Sequence, residues 1–103
     1  LLIIGLGACT LQYPPQEPYA ATEKNTYLCQ SGAVIEVSYP DMDTAILHYQ
    51  DKTYYLQIAV SASGARYIGQ DLEWWTKGSG PGSTGSLFTN DPDQEILESC
   101  LAQ

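Results

Sequence analysis

From Tyr27 onward, apolar and polar residues alternate in short runs, and turn-forming clusters interrupt them at intervals of roughly eight to twelve residues. A period of two is the mark of a half-buried strand, because successive side chains on a pleated backbone point to opposite faces. Tyr27-Leu28-Cys29-Gln30 opens the series and Ser31-Gly32 turns it. Ala33, Ile35, Val37 and Tyr39 then share one face, with Val34, Glu36 and Ser38 on the other. Pro40-Asp41-Met42-Asp43 is a turn, Ala45, Leu47 and Tyr49 alternate with Thr44, Ile46 and His48, and Gln50-Asp51-Lys52 turns again. Tyr54, Leu56, Ile58 and Val60 give the clearest alternation in the chain, which ends at a loop around Ser63-Gly64. Arg66-Tyr67-Ile68 is a short strand and Gly69-Gln70-Asp71 a turn, and Leu72, Trp74 and Thr76 alternate with Glu73, Trp75 and Lys77. Ser79 to Ser86, rich in Gly, Ser and Pro, reads as a flexible loop, followed by a brief strand at Leu87-Phe88-Thr89 and a turn at Asn90-Asp91-Pro92-Asp93. Gln94 to Cys100 fits two readings: a helix, from the proline and acids at its start, or a closing strand.

Many short strands joined by tight turns predict an all-β fold, an antiparallel barrel or sandwich. A barrel is favoured, since closure removes exposed edges in a domain too small to cover them. A chain of 103 residues holds one such domain, with a thin core that benefits from an added staple.

The amino-terminal region has a different character. Leu1 to Ala8 are apolar or Gly and run into Cys9, too short a stretch to span a bilayer as a helix. Leu6-Gly7-Ala8-Cys9 resembles the bacterial lipoprotein signal, in which the cysteine is lipidated and becomes the mature amino terminus. Residues 1–8 then read as the remnant of a lipoprotein signal peptide, 9–24 as a lipidated tether containing Pro14, Pro15 and Pro18, and 25–103 as the barrel. Three cysteines are an odd number for an exported protein. With Cys9 carrying lipid, Cys29 and Cys100 remain as a pair that an oxidising periplasm would let bond.

The formal net charge is −8, with Lys24, Lys52, Arg66 and Lys77 the only basic side chains besides one histidine. That balance excludes nucleic acid as a partner, since phosphate binding requires clustered cations, and it steers a cationic protein toward the surface. Solubility alone would also account for the acidity. His48 sits in mid-strand and no metal-ligand spacing surrounds it. Asp41, Asp43, Asp91 and Asp93 occupy turns, where aspartate is favoured for bonding the backbone. No activated nucleophile, phosphate-cradling loop, metal or cofactor pattern is present, so the sequence reads as a binding protein and not an enzyme.

Ser63-Gly64-Ala65-Arg66-Tyr67 has the form Ser-Gly-x-x-Tyr, and six residues after Tyr67 comes Trp74-Trp75-Thr76-Lys77-Gly78. These two motifs, their separation, the Tyr27-x-Cys29 entry and the late Cys100 resemble the bacterial membrane-bound and periplasmic inhibitors of C-type lysozyme. The resemblance covers Tyr27 to Gly78 well, the last strand loosely and the tether not at all. It implies an eight-stranded antiparallel barrel with a Cys29–Cys100 disulfide, anchored by lipid at Cys9. Thr10, not Asp, follows that cysteine, which implies the outer membrane, facing the periplasm. It implies C-type lysozyme, a basic protein, as the partner, with Ser63 and Lys77 entering the lysozyme cleft and Gly64, Arg66, Tyr67 and Trp75 around them.

Each of these residues also has a plainer role open to it. Ser63 suits a turn and Lys77 a solvated strand end; Tyr67 and Trp74 suit the core. Trp75 shares a side with Lys77, so it holds the lysine stem or packs on a loop. Arg66 is a rim contact or the charge partner of an acid such as Glu73. The family usually carries acidic residues after Lys-Gly, and here Ser79-Gly80-Pro81-Gly82-Ser83 follows. A longer, more mobile loop costs ordering entropy on binding, so a different affinity or lysozyme preference is expected. The competing functions are a cell-wall glycan-binding lipoprotein using Trp75, Tyr55 and Tyr67 as stacking platforms, and a purely structural envelope lipoprotein.

Overall fold

The alternating runs are strands. The computed structural model describes residues 24–103. They form β1 (Lys24–Cys29), β2 (Val34–Asp41), β3 (Thr44–Tyr49), β4 (Lys52–Ala59), β5 (Ala65–Gly69), β6 (Leu72–Lys77), β7 (Thr84–Thr89) and β8 (Ile96–Ala102), with no helix among the described residues. Each strand pairs antiparallel with the next and β8 pairs with β1, which closes the barrel. Lys24, the expected end of the tether, is the first residue of β1. The expected signal remnant, the lipidation site Cys9 and the rest of the tether lie outside the described residues.

The inward face of the alternation fills the barrel. Ile35, Val37, Ala45, Leu47, Leu56, Trp74 and Leu87 are wholly buried. Trp74 is the largest of them, and Tyr27 meets it edge-on, with ring centroids 5.0 Å apart and planes at 86°. Such edge-to-face pairs contribute about 0.5–1.5 kcal/mol beyond area burial. The indole Nε1–H donates to the Tyr39 hydroxyl at 3.2 Å, so the one polar atom of the ring is satisfied. Room for the indole comes from β7. Gly85 lies inward opposite Thr76, and a Cβ there would fall 2.5 Å from Trp74 Cζ2 and 3.0 Å from Tyr27 Cε2.

That packing corrects the reading of Ser79 to Ser86 as one flexible loop. Thr84, Gly85 and Ser86 belong to β7, and its glycine is a place for a tryptophan instead of a hinge. The remaining loop is tied down as well. Gly82 N–H donates to the Ala102 carbonyl and Ala102 N–H to the Ser83 carbonyl, both at 2.8 Å. A second correction falls on β4. It ends at Ala59, so Val60 is outside the strand and 93% exposed, and Ile58 is 43% exposed. The chain has to leave the sheet there to make the loop before β5, and burial stops with the pairing.

Three of the hairpins turn on two residues each, Met42-Asp43 and two others with left-handed backbone. Gln50-Asp51 has φ of 52° and 63°, and Gln70-Asp71 has 49° and 67°. Left-handed conformation at both central residues matches the twist of the flanking strands, which is why this turn fixes register despite lacking Asn-Gly. The segment before Cys100, open between helix and strand in the sequence, is the closing strand. Its seam with β1 has three register pairs: Tyr27 with Ala102, Leu28 with Leu101, and Cys29 with Cys100. The last pair is a disulfide across 71 residues of sequence.

A loop of that length gives the crosslink about 4 kcal/mol of stabilisation by chain entropy, a large fraction of what so small a domain has in total. The Cys29→Ser, Cys100→Ser double variant, or reduction of the parent chain, is expected to lower the thermal midpoint by more than about 15 °C in a far-ultraviolet melt. Gly85→Ala is expected to destabilise by about 1–3 kcal/mol in urea titration, because the indole it meets is walled in on its other sides.

Candidate functional site

Both sequence motifs end at the same rim of the barrel, and the β5–β6 register is the reason. Ala65 pairs with Thr76. The β4–β5 loop therefore delivers Ser63, two residues before Ala65, beside Lys77, one residue after Thr76. Inward and outward positions follow by alternation: Tyr67 and Trp74 point into the barrel, and Arg66, Trp75 and Lys77 point out. Ser63 and Lys77 are both exposed.

Gly64 allows the two segments to touch. It adopts φ +72°, and a Cβ there would collide with the Thr76 carbonyl oxygen, lie 2.9 Å from Lys77 Cγ and 3.1 Å from Trp75 Nε1. Only a residue without a side chain fits between the Ser63 loop and the end of β6 at that distance. Trp75 ties the pair together and does both of the things open to it. Its indole N–H donates to the Ser63 carbonyl at 2.8 Å, and the Lys77 ammonium stands 5.3 Å from its ring centroid. An exposed cation over this half-buried indole gains about 0.5–1 kcal/mol, enough to bias the lysine rotamer without burying its charge. Within the loop, Ser63 N–H donates to Ser61 Oγ at 3.2 Å, and the Ser61 hydroxyl donates to the Ser63 carbonyl.

Arg66 is the partner of Glu73. Its Nε lies 3.0 Å from Glu73 Oε2, with side chains 27% and 0% exposed. The contact is an ion pair without hydrogen-bond alignment, since Oε2 has no hydrogen-bond donor. Glu73 Oε1 accepts from the Gln94 amide at 2.8 Å, and Arg66 Nη1 donates to the Val60 carbonyl at 3.1 Å. Sequence reasoning missed Gln94 and Val60. Gln94 comes from the turn before β8 and reaches Glu73 across 21 residues, a contact that local pattern does not signal.

Tyr67 is buried, 7% exposed, with its ring 5.4 Å from Tyr39. These two rings, Tyr27 and Thr76 help line an open pocket of about 610 Å³ at the barrel mouth, with Gly78 and Pro81 of the next loop also on its wall. Burial pushes the Tyr67 hydroxyl above its ordinary range, and the carboxylates of Asp43 and Asp41 add to the shift. Burial also pushes Tyr39 up. Both phenols stay protonated and neutral beneath the loops. Outside the barrel, Trp75 and Lys77 border a groove of about 680 Å³ whose other walls include Leu28, Phe88, Ser99 and Leu101. Among the described residues no cluster of His, Cys, Asp or Glu is arranged to hold a metal ion. His48 shares a hydrogen bond with Thr53 Oγ1 at 3.0 Å.

Residues 27–95 match the family model of membrane-bound lysozyme inhibitors of C-type lysozyme. The chain belongs to that family. A membrane-bound lysozyme inhibitor of C-type lysozyme from Cupriavidus necator is 32% identical over 111 aligned residues, which cover 99% of this chain and 88% of the relative. The family model spans both motifs, from Tyr27 past Lys77-Gly78. The crystal structure of Pseudomonas aeruginosa MliC in complex with hen egg white lysozyme superposes with a TM-score of 0.56 at 19% identity, covering 97% of this chain and 100% of that one. At that identity the likeness is one of fold. Members of the family are named as inhibitors, a role that involves no catalysis of their own.

Gly64→Ala tests how closely the loop is seated. The strained φ and the clash with β6 are expected to cost about 1–2 kcal/mol in denaturant titration. They are also expected to shift the Trp75 indole N–H resonance while leaving that of buried Trp74 in place.

Proposed function

We propose that this protein is a reversible inhibitor of C-type lysozyme that corks the active-site cleft with Ser63 and Lys77. The observation that carries the reading is the side-by-side seating of the two loops, joined through Gly64 and Trp75. Family membership supports it, as does the crystal complex of the Pseudomonas aeruginosa relative with hen egg white lysozyme.

The chemistry follows from the target. A lysozyme works with two carboxyl groups held in different states, one protonated and one ionised. The Lys77 ammonium pairs with the ionised one, and the Ser63 hydroxyl, able to donate and accept, serves the other. In a closed cleft each of these contacts is desolvated, so a partner without matching groups is rejected. Neither loop offers a glycosidic bond to cleave, so the block is competitive. The −8 balance raises the rate of encounter with a cationic enzyme, and added salt screens that advantage. Gly64 and Trp75 act by seating Ser63 and Lys77, and Tyr67 by building the mouth beneath them. The loop after Gly78 is pinned to the end of β8, so the ordering cost expected of a mobile Gly-Ser loop is small.

The relatives' name also supports a membrane anchor. Cys9 is the lipidation site in this reading, and residues 9–23 hold the barrel away from the outer membrane on its periplasmic side, where the inhibitor guards the peptidoglycan. A glycan-binding role has less behind it. Tyr67 is buried, and Tyr55 on β4 is separated from Trp75 on β6 by a whole strand, so the three rings make no common platform.

The test is the rate of cell-wall hydrolysis by hen egg white lysozyme against increasing inhibitor. Near-equimolar protein is expected to suppress it. Lys77→Ala should weaken inhibition roughly 30-fold or more and Ser63→Ala roughly fivefold to tenfold, with folding unchanged by circular dichroism. Unchanged hydrolysis at tenfold excess of the parent protein would end the proposal. Inhibition that scales with the amount of cell wall, together with no binding between this protein and lysozyme when cell wall is absent, would assign the protein to glycan coating instead.

A further inference from the structure

Glu73 is a fully buried carboxylate on the outer side of β6, where alternation predicts a solvated residue. Burying an ion pair is seldom a gain in stability over an apolar pair of the same size. This one also consumes one of four Lys or Arg side chains in an acidic protein. Its geometry shows what it does instead. Gln94 fixes one carboxylate oxygen, at 2.8 Å from its amide. The other oxygen faces Arg66 Nε at 3.0 Å. With Nε held there, the far arm of the same guanidinium reaches the Val60 carbonyl at 3.1 Å.

Val60 is where the β4–β5 loop leaves the sheet, and Ser63 is where it returns. The loop is therefore gripped at both ends by β6 and its neighbour: Arg66, seated on Glu73, holds Val60, and Trp75 holds Ser63. Apart from Ser61, which bonds the backbone of Ser63 within the loop, its side chains bury little. Val60 is 93% exposed, and Ala62 and Ser63 are exposed as well. The Ser61 bonds close the loop on itself, and the two grips fix where it sits against the sheet.

We propose that Gln94, Glu73 and Arg66 form a positioning relay that holds the Ser63 loop in its lysozyme-ready shape before the enzyme arrives. Arg66 is thus a positioning residue that acts through Val60, and Glu73 and Gln94 act through Arg66. A lysine cannot replace the arginine. Its single ammonium has no second arm set at a fixed angle, so pairing with Glu73 leaves the Val60 carbonyl unheld. The inference rests on the reading of Ser63 as a lysozyme contact, but the order of the loop can be measured without lysozyme.

Arg66→Lys keeps the charge on Glu73 and is the first variant. The charge-balanced pair Arg66→Met with Glu73→Leu is the second, for the case that the lysine variant folds poorly. In the free protein, amide hydrogen exchange at residues 61–64 is expected to accelerate at least tenfold in either variant, with the β1–β8 seam unchanged. Against hen egg white lysozyme, Arg66→Lys is expected to weaken inhibition about tenfold, the effect of one or two side chains' worth of ordering. In a double-mutant cycle, Ser63→Ala should then cost less than it does in the parent, whereas Lys77→Ala costs the same in both backgrounds. Unchanged loop exchange in both variants would overturn the relay whatever the inhibition data show. So would a Ser63→Ala effect that is identical with and without Arg66. An inactive parent protein with an ordered loop that loosens in the variants would leave the relay standing and sink the lysozyme reading alone.

Discussion

The indole of Trp74 sets the register on which everything else in this barrel depends. It fills space that residue 85 leaves by having no side chain, and Tyr27 closes over its edge. A strand's side chains alternate, so a one-residue slip of β6 would turn Trp75 inward and Trp74 out. Neither change is tolerable. The Gly85 gap would be wrongly filled, and Lys77 would be turned into the barrel along with Trp75. Locking Trp74 in the core thus aims Trp75 and Lys77 outward, and the two-residue turn at Gln70-Asp71 carries the same register into β5. Arg66 and the Ser63 loop follow from that without further instruction. The core residue and the loop contacts are one structure, within four residues of one strand.

The disulfide serves this arrangement from the other side. With three register pairs, the β1–β8 seam is shorter than the five or six pairs that join β1 to β2 and β6 to β7. Tyr27, which closes over Trp74, lies on the seam strand. Opening the seam would release that ring and loosen the packing that holds β6 in place. The crosslink at Cys29 and Cys100 stands two residues from Tyr27 and secures it. Stability and site geometry are coupled here through one tyrosine.

Much of this was legible in the residues, and what was not has a common cause. The alternation of β2, β3 and β6 shows plainly because each has one face in the core and one outside. The two motifs and their spacing are local, so they survive in the sequence as text. Features that depend on a partner strand do not. Gly85 reads as loop composition until Trp74 is placed against it. Val60 reads as the end of an apolar face, because nothing local marks where pairing with β5 stops. The bond from Gln94 to Glu73 joins segments that meet only after the barrel closes. The choice between helix and strand before Cys100 was likewise decided by closure, since only a strand can complete the sheet.

The distribution of cations shows how the protein divides its electrostatic work. Three of the four Lys and Arg side chains stand at this rim, Lys24, Arg66 and Lys77, and the last two are treated in opposite ways. Arg66 is drawn in, three-quarters covered, and its charge is spent on a buried carboxylate. Lys77 is left in water above an indole, where the ring quadrupole orients it, and no carboxylate among the described residues pairs with it. An exposed ammonium that has made no local ion pair keeps its full attraction for an external anion. One that had paired with a neighbouring acid would have to break that contact first. Glu73 is wholly buried and held by its own cation and by Gln94, so its charge is already satisfied. The same ion pair that shapes the Ser63 loop therefore leaves the lysine beside it available to an incoming carboxylate.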